Sequence, residues 1–271
     1  MSLKAHAKVN FGLNVTGKRA DGYHDLDTLF VRLELHDVLE LEPADDLTLA
    51  VHGADLPTDA NNLAYLAAEH YLNQAGAPGG ARLTLTKHIP VAAGLGGGSS
   101  DAGTVLRGLA QLYPADVDLP KLALSLGADV PFFVSGFSAA RGRGRGEALD
   151  AVTLPTQHLV LVNPGIEVSA GEAYRLLESF SEKLEPKPLL ESLRAGEPAY
   201  RNDLQAGVLS AYPDIAKVIK ALQETSLHGV LMSGSGSTCF GVARDASQAA
   251  EVAASLKTQH PDWWVRATTT L

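Results

Sequence analysis

The sequence predicts an α+β protein of two domains. Three observations predict it: segments that alternate apolar and polar residues are interspersed with segments at helical spacing, the spacers are short, and the pattern restarts beyond Gly146. With 271 residues the chain is long enough for two ordinary domains, placed at residues 1–154 and 155–271.

The elements follow in order. Residues 9–15 and 28–35 are strand-like, joined by the turn-forming Gly17-Lys18-Arg19-Ala20-Asp21-Gly22. Asn61 or Asn62 caps a helix in which Leu63, Leu66, Ala67 and Tyr71 share a face and Gly76 terminates. Leu83, Leu85 and Lys87 then alternate with Arg82, Thr84 and Thr86, a half-buried strand ending at Pro90. Ala102, Val105, Leu106, Leu109 and Leu112 form an amphipathic helix closed by Pro114, and a further helix over 119–126 stops at Gly127. Past Gly146 come a strand at 159–162, a helix around 171–180 and a polar stretch over 181–201 that reads as surface helix and loop. A helix at 213–224, strands on both sides of Ser233-Gly234-Ser235-Gly236-Ser237, a helix near 247–256 and a strand at 264–268 complete the chain.

Between the strand and the amphipathic helix lies the most telling run, Gly94-Leu95-Gly96-Gly97-Gly98-Ser99-Ser100-Asp101. Glycines let backbone N–H groups turn inward, and the serines and Asp101 then start a helix whose positive end faces the same spot. An anion belongs there, most simply a nucleotide phosphate. A Walker A loop would need Gly-Lys-Ser/Thr, but Gly98 is followed by Ser99; a dinucleotide fingerprint would need glycine where Ser99 stands. The plain alternative is a flexible Gly/Ser linker.

Composition narrows the partners. Basic residues number 22 against 31 acidic, a net charge of −9, which argues against nucleic acid. Cys239 is the only cysteine and lies in an apolar run, so it reads as a small buried residue and no internal disulfide can form. No segment approaches the ~20 apolar residues of a membrane span, and the chain is expected to be soluble and cytoplasmic.

Several side chains could carry chemistry. Asp129, in Gly127-Ala128-Asp129-Val130-Pro131-Phe132-Phe133, is either an ordinary helix N-cap or a carboxylate able to accept a proton from a hydroxyl. Strand alternation places Lys8, Asn10 and Gly12 on one face; that face either meets water or lines a cleft, where Lys8 stabilises developing negative charge. Tyr23-His24 on a turn, and Tyr174 on a later helix, are surface or core aromatics unless a ligand ring meets them. Arg141-Gly142-Arg143-Gly144-Arg145-Gly146 reads as a mobile solvated loop or an RNA-stacking segment, and the 233–237 run as a hairpin turn.

Taken together, Ala7-Lys8-Val9-Asn10, the run Pro90-Val91-Ala92-Ala93-Gly94-Leu95-Gly96-Gly97-Gly98-Ser99-Ser100, and Met232-Ser233-Gly234-Ser235-Gly236-Ser237 resemble the GHMP family of small-molecule kinases. The likeness is closest to members acting on a cytidine-bearing alcohol, on the strength of Arg19-Ala20-Asp21-Gly22-Tyr23-His24, the segment from Gly127 to Phe133, Gly144-Arg145-Gly146-Glu147 and Asn202-Asp203-Leu204. The resemblance implies a two-domain fold with the active site in the cleft between domains, ATP and a cytidine-diphosphate alcohol as partners, and Mg²⁺ entering with ATP, its protein ligands unassigned. It implies Asp129 as the base and Lys8 as its orienting partner, with the loop from Pro90 to Ser100 around the ATP phosphates. The loop at Gly234, Ser235 and Gly236 would close on the transferring group, and Asn10 would contact substrate. Tyr23 and Tyr174 would flank the cytosine, with His24 on its edge. Ala170 stands where relatives commonly have threonine, and Arg141 and Arg143 are charges the family does not require: idle surface groups or extra diphosphate contacts. Another alcohol kinase of the family and a non-catalytic nucleotide- or RNA-binding module are the alternatives.

Overall fold

Alternation of apolar and polar residues runs further along the first two strands than expected. Ala5 and Ala7, too small to announce a strand, extend the buried face of Val9, Phe11, Leu13 and Val15, so β1 spans Ser2–Lys18. Leu39 and Leu41, buried between Glu40 and Glu42, carry β2 over His24–Ala44. The computed structural model describes residues 1–271 except for the Pro186 side chain.

The chain divides into two units that interleave along the sequence: Met1–Ala7, Leu35–Val91 and Gly96–Phe137 in the first, and Lys8–Glu34, Ala92–Leu95 and Ser138–Leu271 in the second. This differs from the division at 154/155, because β1 and β2 each run through both units and the glycine-rich loop passes from one into the other.

In the first unit, β2 pairs antiparallel with β4 (Gly80–Thr86), which pairs in parallel with β3 (Thr48–His52). Leu39, Leu41, Leu83 and Leu85 point to a core shared with α1 (Leu63–Ala75), α2 (Gly97–Leu112), α3 (Leu119–Leu126) and α4 (Val130–Ser135). Asn62 caps α1 by accepting from the Ala64 N–H at 3.0 Å, and Gly76 ends it in the left-handed region.

In the second unit, β2 pairs with β5 (Ala139–Gly144), and β5 with β6 (Ala148–Ala151). The Arg/Gly run is therefore a β-hairpin and not a mobile loop: a Cβ on Gly142 would lie 2.6 Å from the Phe30 ring, so glycine lets that face pack. A separate antiparallel sheet has the order β10-β7-β9-β8, from β7 (His158–Asn163), β8 (His228–Met232), β9 (Cys239–Ala243) and β10 (Trp264–Thr269). Its core includes Val160, Val162, Met232 and Cys239, packed with Val208 of α7 (Gln205–Ala211), Ile215 and Val218 of α8 (Pro213–Gln223) and Leu256 of α9 (Ala246–Gln259). Burial pushes the Cys239 thiol up, as expected of an inert core cysteine. The helix expected over 171–180 is only α5 (Ala170–Arg175), because the chain then turns to bond Ser181 N to the Val15 carbonyl. α6 (Pro186–Ala195) lies within the polar stretch, and α7 was not anticipated.

Candidate active site

In the first unit, α2 begins at Gly97, earlier than the serines, with Gly96 left-handed at φ 69°. Its first turn carries no acidic residue, so the positive end of the helix is uncompensated. Ser100 turns its hydroxyl to the His6 carbonyl at 2.7 Å. Asp101 does not start the helix; it sits within it, buried. Its Oδ2 accepts from Lys87 Nζ at 2.6 Å, while Lys87 also donates to Asp37 Oδ2. The other Asp37 oxygen accepts from the His88 and Ile89 N–H groups. Burial, reinforced by Asp37 and opposed by Lys87, pushes Asp101 up to about 7; burial works against the Lys87 charge too, but Asp101 and Asp37 outweigh it and raise that lysine. Sequence reasoning missed this cluster, although its signal was present: Lys87 continues the inward face of Leu83 and Leu85, and Asp37 that of Leu39 and Leu41.

Asp129 precedes α4 in helical conformation, φ −84° and ψ −19°, and makes no side-chain cap bond. Asp129 thus holds the N-cap position with Pro131 in the first turn, as the ordinary reading has it, but its side chain does not cap the helix. α4 is seated on α2 at Gly103, where a Cβ would lie 2.6 Å from Phe133 Cβ, so within this unit the position of Asp129 is tied to the glycine-loop helix.

In the second unit, Lys8 and Asn10 are buried, not water-facing. Lys8 Nζ donates to Asn10 Oδ1 at 2.8 Å, Asn10 Nδ2 to Thr28 Oγ1 at 2.8 Å, and Thr28 Oγ1 to the Gly12 carbonyl at 2.7 Å. A Cβ on Gly234 would stand 3.2 Å from Lys8 Nζ. The 233–237 loop is more than a turn: Asn202 Nδ2 donates to the Met232 and Gly234 carbonyls at 2.8 and 2.7 Å, and Asn163 Nδ2 to the Ser237 and Thr238 hydroxyls. Gly94 is pressed against it, its carbonyl accepting from Ser233 Oγ at 3.0 Å, and the Ala93 carbonyl accepts from Thr238 N. Asn163 and Thr28 had no sequence signal.

The three aromatic candidates also belong to this unit. His24 stacks on Tyr174, centroids 4.9 Å apart and planes 10° apart, with Phe180 at 6.3 Å. Tyr23 is 55% exposed, with the Arg145 guanidinium 4.9 Å from its ring centroid. Burial, with the Lys18 charge adding to it, holds His24 below the ordinary histidine range, so at neutral pH its imidazole is uncharged. Ala170 is the exposed first residue of α5. Arg141 is not an idle surface group: it grips buried Asp27 with Nε at 2.7 Å and Nη2 at 2.6 Å, and also donates to the Leu184 carbonyl. Arg143 pairs with Asp150 at the surface.

Two family models, described as the GHMP kinases N terminal domain and GHMP kinases C terminal, match residues 62–137 and 187–262. The chain is 56% identical to 4-diphosphocytidyl-2-C-methyl-D-erythritol kinase of Deinococcus radiodurans, over 97% of its own length and 91% of the relative's. The chain belongs to the GHMP kinases. A solved 4-(cytidine 5'-diphospho)-2C-methyl-D-erythritol kinase is 44% identical with a TM-score of 0.89, each chain covered completely. Homoserine kinase from Cytophaga hutchinsonii, 19% identical with a TM-score of 0.67 over 100% of this chain and 96% of that one, shares the GHMP fold alone. Among the described residues no helix is long and apolar enough to cross a membrane.

Proposed function

We infer that this chain transfers the γ-phosphoryl group of ATP to the 2-hydroxyl of 4-diphosphocytidyl-2-C-methyl-D-erythritol, in the non-mevalonate route to isoprenoid precursors. The observation that carries the reading is the near-full-length identity to a kinase of that name. We propose the cytoplasm as the compartment of this reaction.

Phosphoryl transfer asks the protein to position an in-line attack and to neutralise charge. The α2 amino terminus and the preceding glycines supply backbone N–H groups for the ATP phosphates. Asp129, at the start of α4, takes the proton as the substrate oxygen bonds to the γ-phosphorus and ADP departs. Lys8, oriented by the Asn10–Thr28 chain, supplies the fixed positive charge, and the 233–237 loop, braced by Asn202 and Asn163, covers the transferring group. Tyr23, His24 and Tyr174 recognise the cytosine, with stacking worth roughly 1–3 kcal/mol per base.

Mg²⁺ enters as the nucleotide's complex. At the head of α2, Ser100 donates its hydroxyl to the His6 carbonyl, and Asp37 and Asp101 each accept from Lys87 through one oxygen.

An ADP-release assay tests the reading, comparing the cytidylyl substrate with homoserine, mevalonate and simple sugars. Turnover should require the cytidylyl compound, and Asp129→Asn should lower kcat by about 10²–10⁴-fold while the fold survives. Rapid turnover of an alcohol lacking cytidine would overturn the substrate assignment, and an active Asp129→Asn the base.

A further inference from the structure

We propose that Asp37, Lys87 and Asp101 are positioning residues for the nucleotide: a buried lock that ties the strand end before the glycine loop to the helix after it, and so sets the aim of the α2 amides.

The three side chains come from three elements of the first unit: Asp37 from β2, Lys87 from the end of β4, Asp101 from the second turn of α2. Each is nearly sealed from water, at 0%, 8% and 2% exposure. Removing an ammonium and two carboxylates from water costs several kcal/mol per ion, a cost that simple packing at this place would not incur. What the cluster adds is direction. Asp37 fixes the backbone at His88 and Ile89 through their N–H groups while holding Lys87, and Lys87 extends that grip to Asp101.

Gly97 completes the arrangement. A Cβ there would lie 3.4 Å from Lys87 Nζ and 3.2 Å from Ile89 Cγ2, so the bare backbone lets residues 87–89 close up against the first residue of α2. The amides that open this helix are thereby referenced to β4 by a rigid, charged brace. Phosphate binding depends on such donors being held to within about half an ångström, which flexible glycines cannot achieve alone. One oxygen of the cluster, Asp101 Oδ1, is buried and accepts no hydrogen bond among the described residues.

The proposal rests on the glycine loop binding ATP phosphates, and the experiment separates the two. ATP affinity is measured by calorimetry for the wild type, Asp101→Ala and Asp101→Asn, each with a thermal unfolding curve. Asp101→Ala should weaken ATP at least tenfold with KM for the cytidylyl substrate within twofold of wild type. Asp101→Asn, which keeps an acceptor for Lys87, should restore affinity to within about threefold of wild type. A wild type that binds no ATP sinks the phosphate-loop reading itself. A folded Asp101→Ala with wild-type ATP affinity, or equal losses for both substrates, overturns the lock. Should Asp101→Ala not fold, amide exchange in the wild type decides: His88 and Ile89 should exchange as slowly as the β4 ladder, and fast exchange refutes a brace there.

Discussion

At Gly94 a Cβ would lie 2.1 Å from the Ser233 carbonyl oxygen and 2.9 Å from that of Gly236, and φ is 74°. Steric overlap and backbone strain therefore act together, and Gly94→Ala should lower Tm and activity alike. Gly98 is the contrast: exposed, helical, with nothing within 4 Å of its would-be Cβ. Gly98→Ala should hold or raise Tm, because alanine favours a helix over glycine by about 1 kcal/mol, yet weaken ATP if phosphates lie against that backbone. Thermal unfolding beside ATP titration of both variants checks the pair. The sequence marked both as loop glycines. It did not distinguish the one pressed on another loop from the one left open for a ligand.

Among the elements, the β5–β6 hairpin separates two arginines that look alike in sequence. Arg141 meets Asp27, which is 2% exposed and also accepts from the Leu184 N–H; Arg143 meets Asp150 where both side chains are at least half exposed. Removing a partner from a buried ion pair costs about 3–5 kcal/mol, whereas a surface pair is worth about 0–1 kcal/mol. Arg141→Ala should thus lower the unfolding free energy steeply and Arg143→Ala scarcely at all, in parallel denaturant titrations; equal effects would contradict the assignment. Alternation of Arg and Gly suggested mobility because glycine is a loop residue on average. Here it serves a strand, by letting Gly142 lie on Phe30.

For the whole molecule, the raised Asp101 carboxyl links folding to pH. Its folded pKa of about 7 stands above the ~3.9 of an unfolded aspartate, so between these values the folded chain holds a proton that the unfolded chain has lost. The contribution is complete below pH ~4 and disappears as pH rises through 7. Asp37 and Lys87 face this carboxyl, and the two carboxylates outweigh burial to raise Lys87, which keeps it charged through that window. His24, lowered by burial, acts with the opposite sign, so the informative quantity is a difference. Stability of the wild type minus that of Asp101→Asn should fall between pH 5 and pH 8, measured by chemical unfolding. A flat difference would exclude the proton-holding carboxyl.

Local signals determined what the sequence could determine by itself: the strand periods, the Asn62 and Gly76 helix limits, the glycine-rich approach to α2, and the motifs that mark a GHMP kinase. Only the tertiary structure decided which charges meet. Lys87 finds Asp37 across 50 positions and Asp101 across 14, and Arg141 finds Asp27 across 114. The reason is physical: periodicity reports which face a residue takes, but a buried charge is satisfied by whichever group strand register and helix packing bring to it. Interleaving of the two units follows from the same cause, since long strands carry one stretch of chain through both.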